Sequence, residues 1–396
     1  MKNRRPLVQN SERKPRIAFL VIQLGKGYGV SVVAEAQARY LVKHGWSVDF
    51  YCLDSELIPE DRDIQIFQVP RSFFGLRWKL ESEGYSAVIA HTIPFHQFLP
   101  SVQGVKTIIW EHGEPRAELF PGEEGFRRSL SSGKLKSVYP FVNVVVAISD
   151  FIRNEIGWPQ AVVVYNGSDH MWRSQNITVK SSASKSRPLS ILMVSRMWKS
   201  ERSYKGIDDL IELSNHLGAK AVITLAGRGG ESDAEYLRSM GLKVCLNISD
   251  SELCELYSNA DLVVSLSKWE GFNLPLVEAG FFGKPAYALN VGAHSEVTPF
   301  VFDTLGAMEE KIMASSLNSL AQEGEEMREF VQRFSWKVHG ESLSQIIGSQ
   351  KATFNLRFIK KIQNGVLHLI WSVMIAARKF GKYVFGCLRW LRGLVK

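Results

Sequence analysis

The apolar run at residues 16–23, Arg-Ile-Ala-Phe-Leu-Val-Ile-Gln, is the tightest constraint on this chain. It has strand length, and its near-continuous apolarity suits a parallel strand covered on both faces. It enters the Gly-rich turn Leu24-Gly-Lys-Gly-Tyr-Gly29, after which a helix is predicted over 31–44, closed by Gly45. A second strand pattern at 47–53 completes a β–turn–α–β unit. Parallel neighbours need a crossover helix, so this order starts a doubly wound sheet. Further strands are predicted at 87–90, 107–110, 142–148 and 162–165.

Residues 171–188 break the alternation with a polar stretch rich in Ser, Lys and Arg, the composition of a linker. The pattern then restarts. Strands are predicted at 189–194, 221–226, 260–267 and 286–289, with helices at 206–217 and 251–258. The predicted fold class is α/β: two Rossmann-like doubly wound domains facing across a cleft, plus a C-terminal basic amphipathic helical extension. The predicted boundaries are a flexible basic leader at 1–15, an N-terminal domain at 16–170, a linker at 171–188, a C-terminal domain at 189–350 and a tail at 351–396. A ligand crevice is expected where the carboxyl ends of the two sets of strands meet.

Charge is unevenly placed. Nine of the 48 Lys and Arg lie in 354–396, which has no Asp or Glu, leaving 39 basic against 40 acidic side chains in 1–353. The basic character therefore belongs to the tail, and a nucleic-acid-binding globular part is not expected. Sixteen uncharged residues separate Lys361 from Arg378, fewer than a spanning helix needs. Beyond them, Val384, Leu388, Leu391 and Val395 share one helical face while Arg389, Arg392 and Lys396 fall elsewhere. That pattern predicts a helix lying on an anionic membrane surface through 354–396. The alternative is a basic helix packed back on the N-terminal domain. The N-terminus lacks the apolar region of a secretory signal. The four cysteines are scattered without ligand spacing, as in a reducing compartment. The expected location is cytoplasmic, peripheral on the inner face of the cell membrane.

The densest functional signal is Glu270-Gly-Phe-Asn-Leu-Pro-Leu-Val-Glu278. It joins a strand to a helix whose first turn accepts Pro275 and whose end is marked by Gly283 and Pro285. Backbone N–H groups near Phe272, Asn273 and Leu274 would point outward with the positive end of the helix dipole, making an anion site between Glu270 and Glu278. An anion site with two hydroxyl-binding carboxylates suits a nucleotide sugar. Taken alone, the two glutamates are equally well explained as dipole partners worth ~0.3–1 kcal/mol each.

Several segments, in one order along the chain, resemble the retaining, GT-B-fold glycosyltransferases of family 4 (glycosyltransferase group 1). They are Gly27-Tyr-Gly29, Trp110-Glu-His112-Gly, Ala147-Ile-Ser149 and Val164-Tyr-Asn-Gly-Ser-Asp169, then Val194-Ser-Arg196, Tyr204-Lys205-Gly206, Ala226-Gly227, Ala260-Asp261, Glu270 through Pro285, and Phe334-Ser-Trp336. The match spans about 16–350, and the Glu270-to-Pro285 stretch is its specific part. The resemblance implies an N-terminal acceptor domain and a C-terminal nucleotide-sugar domain. Glu278 is expected to hold the ribose and Glu270 to face the donor sugar. The amides of Phe272, Asn273 and Leu274 are expected at the diphosphate, with Arg196 and Lys205 beside it. Charge grows on the leaving diphosphate, so cations there favour the transition state. His112 is expected near the reacting bond, and Gly27, Gly29 and Gly227 beside the donor. The expected catalytic residues are thus His112, Glu270, Arg196 and Lys205. His91 and His96 also follow a strand and are weaker candidates.

Asn273 stands where the family usually has Gly, and Asn tolerates left-handed backbone better than most residues. No cofactor or metal is expected. Asp61-Arg-Asp63 has a metal-suggestive form but sits in a charged stretch far from the nucleotide half. The implied reaction moves a hexosyl group from a UDP- or GDP-sugar to a hydroxyl of a growing, lipid-linked, cell-surface glycan. Acceptor contacts are expected from loops at 94–105 and 114–136. An epimerase or phosphorylase on the same fold, or a catalytically silent membrane scaffold, is the alternative.

Overall fold

The structure, a computed structural model, describes residues 14–25, 27–69, 73–120, 124–170 and 187–349. Most of the expected leader and linker, and all of the expected tail, lie outside the described residues.

Two parallel sheets organise the chain. The first has strand order β3-β2-β1-β4-β5-β6-β7, built from Ile64–Gln68, Ser47–Ser55, Arg16–Leu24, Ala87–Ala90, Lys106–Glu111, Val144–Ala147 and Val162–Val163. The second has order β10-β9-β8-β11-β12-β13, from Lys243–Leu246, Ala221–Gly227, Leu189–Val194, Leu262–Ser265, Ala286–Leu289 and Val301–Phe302. β1 is central because it is apolar on both faces. Its Phe19 lies opposite Phe50 of β2 on one side and Ile89 of β4 on the other. Strand order reverses on either side of β1 in the first sheet and of β8 in the second, which makes both doubly wound. Such reversals open a crevice at the carboxyl ends of the strands. The Gly-rich turn follows β1, His91 follows β4, Arg196 follows β8, and Glu270 follows β11.

The central strands form where the apolar runs predict them. β3, β10 and β13 were not expected, and all lie toward sheet edges. β10 is half-exposed along its length and β13 has only two residues. The segment 114–136 is not a simple loop. Most of it forms the helix Glu124–Ser137.

One apolar core joins the halves, running from β1 and β5 through Ile148 and Ile152 to Phe272, Leu276, Phe334 and Leu343. The helix Trp336–Gly348, which the sequence division assigns to the second domain, crosses back onto the helix Gly29–Lys43 of the first. A side chain at Gly340 would collide with the Tyr40 ring. His339 bonds the main-chain oxygen of Tyr165 through Nδ1 (2.8 Å) and meets Gln37 Nε2 through Nε2 (2.9 Å). The end of this helix is capped by Lys106, a buried residue at the start of β5. Lys106 Nζ donates to the carbonyls of Ile346, Ile347 (3.3 Å) and Ser349 (2.7 Å) and to Ser349 Oγ (2.6 Å). A cation there also meets the negative end of the helix dipole.

Lys106→Met keeps the aliphatic stem and removes the cap. Buried carbonyls left unpaired cost about 1–3 kcal/mol. The urea midpoint of the variant is expected to fall accordingly, with an unchanged slope.

Candidate active site

After β11 the chain turns through Glu270 to Asn273, which is left-handed (φ 74°, ψ 74°) and caps the helix Leu274–Phe281. The Asn273 amide stabilises this backbone from both sides. Its Nδ2 donates to Ser265 Oγ (2.8 Å) and meets His294 Nε2 (2.9 Å). His294 Nδ1 lies 2.7 Å from the Leu289 carbonyl, which can only accept. The proton is therefore on Nδ1, and Nε2 is free to accept from Asn273. Pro275 occupies the second helical position, where its missing N–H costs nothing.

Glu270 is held on both its backbone and its carboxylate. Its carbonyl accepts from Ala293 N (3.0 Å), and a side chain at Gly292 would collide with that carbonyl. Its Oε1 accepts from Lys205 Nζ (2.7 Å) and Ser267 Oγ (2.9 Å). Burial pushes the Glu270 carboxyl upward, but the Lys205 charge and these hydrogen bonds outweigh it, and the net shift is downward. Lys205 reaches this turn because Gly206 is left-handed (φ 67°) and sits directly against the Leu266 carbonyl, leaving no room for a Cβ. Arg196 Nη2 bonds Tyr204 Oη (2.8 Å) and Glu201 Oε1 (2.9 Å). Lys205 Nζ also lies over the Tyr204 ring, 4.9 Å from its centre. Arg196, Tyr204, Lys205 and Glu270 thus form one linked group beside the turn into the helix.

Glu278 lies on the same helix, 7% exposed, with Oε2 accepting from Tyr257 Oη (2.7 Å). Burial raises its carboxyl above the ordinary range despite the tyrosine bond. Phe272 turns its ring away into a cluster with Phe334 and Tyr165, so only its backbone belongs to the turn. Gly227 packs against the Ser195 carbonyl, where a Cβ would collide. It shapes the turn that carries Arg196.

The first sheet supplies the opposite wall. Gly27 (φ 76°) lies against the Arg228 side chain, and a Cβ at Gly29 would sit 3.8 Å from Leu274 Cδ1. His112 follows β5. Its carbonyl oxygen is so close to Gly271 that a Cβ there would approach to 2.5 Å. Its Nε2 is 3.1 Å from His91 Nδ1. Burial pulls the His112 imidazole down to about 3, with His96 adding to the fall. Ser149 Oγ donates to the Gly271 carbonyl (2.7 Å). Glu296, from the second half, accepts from the backbone N–H of Asp150 (2.8 Å) and Phe151 (2.7 Å). Trp269 Nε1 donates to Glu155 (2.9 Å).

Ser149 as a bridging residue, Glu296, Tyr257, Ser267 and His294 were not singled out from sequence. Apart from Ser267, three residues before Glu270, their partners are backbone groups or residues remote in the chain, so no local spacing signals them. Asp61 and Asp63 sit at the amino end of β3, the opposite end of the sheet from the crevice, and Asp63 is paired with Lys14 (2.6 Å). Glu111 is buried in its own network, bonded to Lys134 Nζ (2.9 and 3.1 Å) and Tyr139 Oη (2.8 Å), with His96 Nδ1 at 3.2 Å. Lys134 comes from the 114–136 segment expected to meet the acceptor, yet it is 3% exposed and faces inward.

The model of glycosyl transferases group 1 matches residues 174–299, and that of glycosyltransferase family 4 matches residues 28–171. The fold is similar to a glycosyltransferase from Rickettsia africae ESF-5 (TM-score 0.65, 20% identity, covering 85% of this chain and 98% of that one). It is also similar to the sucrose-phosphate synthase of Thermosynechococcus elongatus (0.65, 16%, 84% and 98%). A third similar structure is WaaG, a glycosyltransferase involved in lipopolysaccharide biosynthesis (0.63, 15%, 84% and 100%). No curated protein sequence matches the chain.

Lys134→Met takes the lysine cation from buried Glu111, and breaking a buried ion pair in this way costs about 3–5 kcal/mol. Burial opposes ionisation of Glu111, but Lys134 and His96 hold it well below 4.5. A depressed carboxyl stabilises the fold above its unfolded pKa and loses that contribution as pH falls through the folded one. Wild-type stability should therefore decline steeply below pH 4.5. Glu111→Gln should flatten that decline when urea unfolding is followed against pH.

Proposed function

The chain belongs to the group 1 glycosyltransferases with the GT-B fold, and from that premise we propose a retaining hexosyltransferase. Its donor is a UDP- or GDP-sugar, and its acceptor is a hydroxyl on a growing, lipid-linked, cell-surface glycan. The reading is supported above all by the convergence of Lys205, Arg196 and Glu270 on the turn that opens the helix Leu274–Phe281. A helix N-terminus with two adjacent cations suits a diphosphate. Glu278, buried on the same helix, suits the ribose diol. Glu270, between the cations and the crevice, suits the sugar hydroxyls.

In this reading the acceptor oxygen adds to the anomeric carbon on the face from which the diphosphate leaves. The bond to the diphosphate oxygen breaks, and a β-phosphate oxygen takes the acceptor's proton. Arg196 and Lys205 meet the growing charge, so the reaction needs no metal and no cofactor. Before the donor binds, each cation is paired with a carboxylate, Lys205 with Glu270 and Arg196 with Glu201. The diphosphate then competes with carboxylates rather than with water.

The reading extends to location. The basic tail at 354–396 holds the enzyme on the anionic inner face of the cell membrane, next to a lipid-linked acceptor. Among the described residues no helix is long and apolar enough to cross a membrane.

A donor at 100 times its Kd should add about 2.7 kcal/mol of stability. A thermal-shift panel of UDP, GDP, ADP and their sugars is expected to show one such series, lost in Glu278→Ala. Arg196→Ala should lower kcat by about 10²–10³-fold, the usual loss when one stabilising donor is removed. Transfer from a labelled donor that proceeds without any acceptor, or only with phosphate, would point instead to an epimerase or a phosphorylase. Deleting 354–396 should abolish sedimentation with anionic vesicles, and undiminished pelleting would refute the membrane role.

A further inference from the structure

We infer that His91 fixes His112 in the Nδ1–H tautomer, so that His112 meets the substrate as a hydrogen-bond donor. The inference rests on the reading that His112 faces the reacting groups.

His91 follows β4 and is 1% exposed, with Phe19 (5.4 Å between ring centres) and Trp110 (6.2 Å) beside it. Its Nδ1 lies 3.1 Å from His112 Nε2, so one proton sits between the two nitrogens. Its other nitrogen, Nε2, is buried with no hydrogen-bond partner among the described residues. That orphan decides the direction of the bond. If His112 Nε2 donated, His91 Nδ1 would have to accept, and the neutral His91 ring would carry its own proton on Nε2. A buried N–H would then have no acceptor. If His91 Nδ1 donates, its Nε2 holds only a lone pair. Orphaned buried N–H groups are rare in folded proteins, and under-satisfied acceptors less so. Burial keeps both rings neutral, since it lowers each imidazole well below its usual range.

His112 Nε2 is consequently an acceptor occupied by His91, and His112 carries its proton on Nδ1. Nδ1–H can donate to an oxygen, such as a sugar hydroxyl or the glycosidic oxygen. Neither nitrogen is then available as a general base. His91 is a positioning residue: it acts through His112 and contacts no substrate itself.

The test is ¹⁵N NMR of the histidine-labelled full chain, with the His112 signals assigned by their loss in His112→Gln. The wild type is expected to show His112 protonated on Nδ1. His91→Phe should move that proton to Nε2 and lower kcat about ten- to a hundredfold, as loss of an orienting bond to a histidine does. The donor KM should change little. His91→Asn places an amide N–H where Nδ1–H stood, and should keep both the tautomer and the activity. A wild-type His112 protonated on Nε2 overturns the inference. So does a folded His91→Asn variant as impaired as His91→Phe. Full activity in His112→Ala would instead sink the role of His112 in the proposed reaction, leaving the tautomer measurement as it stands.

Discussion

The two halves of this protein share an apolar core, and at the turn that carries Glu270 a single hydroxyl ties them together. Ser149 Oγ accepts from Ile152 N, capping its own short helix, and donates to the carbonyl of Gly271 in the other half. That bond, with the His112 carbonyl packed against the Cα of Gly271, fixes the turn from outside its own sheet. Glu270 lies one residue before this point and Asn273 two residues after. The carboxylate and the left-handed cap are therefore positioned by the first half as much as by the strand that precedes them. A methyl group at position 271 would press on the His112 carbonyl and force the halves apart.

Within that frame the electrostatics are balanced in advance. Glu270 is only part-buried, and its carboxyl is held below its usual value because Lys205 and Ser267 outweigh desolvation. Glu278 is more deeply set and has a tyrosine rather than a lysine on its carboxylate, and burial raises it. Two glutamates eight positions apart in sequence thus differ in character because one faces a lysine and the other a tyrosine. This difference lies in the packing, since both are the same residue type near the same helix.

Legibility in the sequence followed burial. β1, β4, β8 and β12 are central or well covered, and their apolar runs locate them to within a residue. β3, β10 and β13 sit toward edges where half-exposed side chains break the pattern. Asn273 was readable as a left-handed residue because Asn is among the few side chains that tolerate it. What holds Asn273 was not readable, since Ser265 lies eight residues back at the end of β11 and His294 opens a separate helix, His294–Val297. Lys134 was obscured by its neighbours. The run Ser-Leu-Ser-Ser-Gly-Lys suggests a loop, and only the buried Glu111 beside it explains an inward-facing lysine. His91 was a weaker candidate for a similar reason. Its importance comes from His112, 21 residues away, and becomes apparent only once β4 and β5 lie side by side.

The cap provided by Lys106 has a mechanical consequence. β5 runs from Lys106 to Glu111, so its two ends are roughly 17 Å apart at about 3.3 Å per residue. Lys106 grips the chain at 346–349, while His112 stands just past the other end of the strand. The chain at Ser349 is therefore moored to the foot of the first sheet, at the end of β5 away from His112 and the crevice.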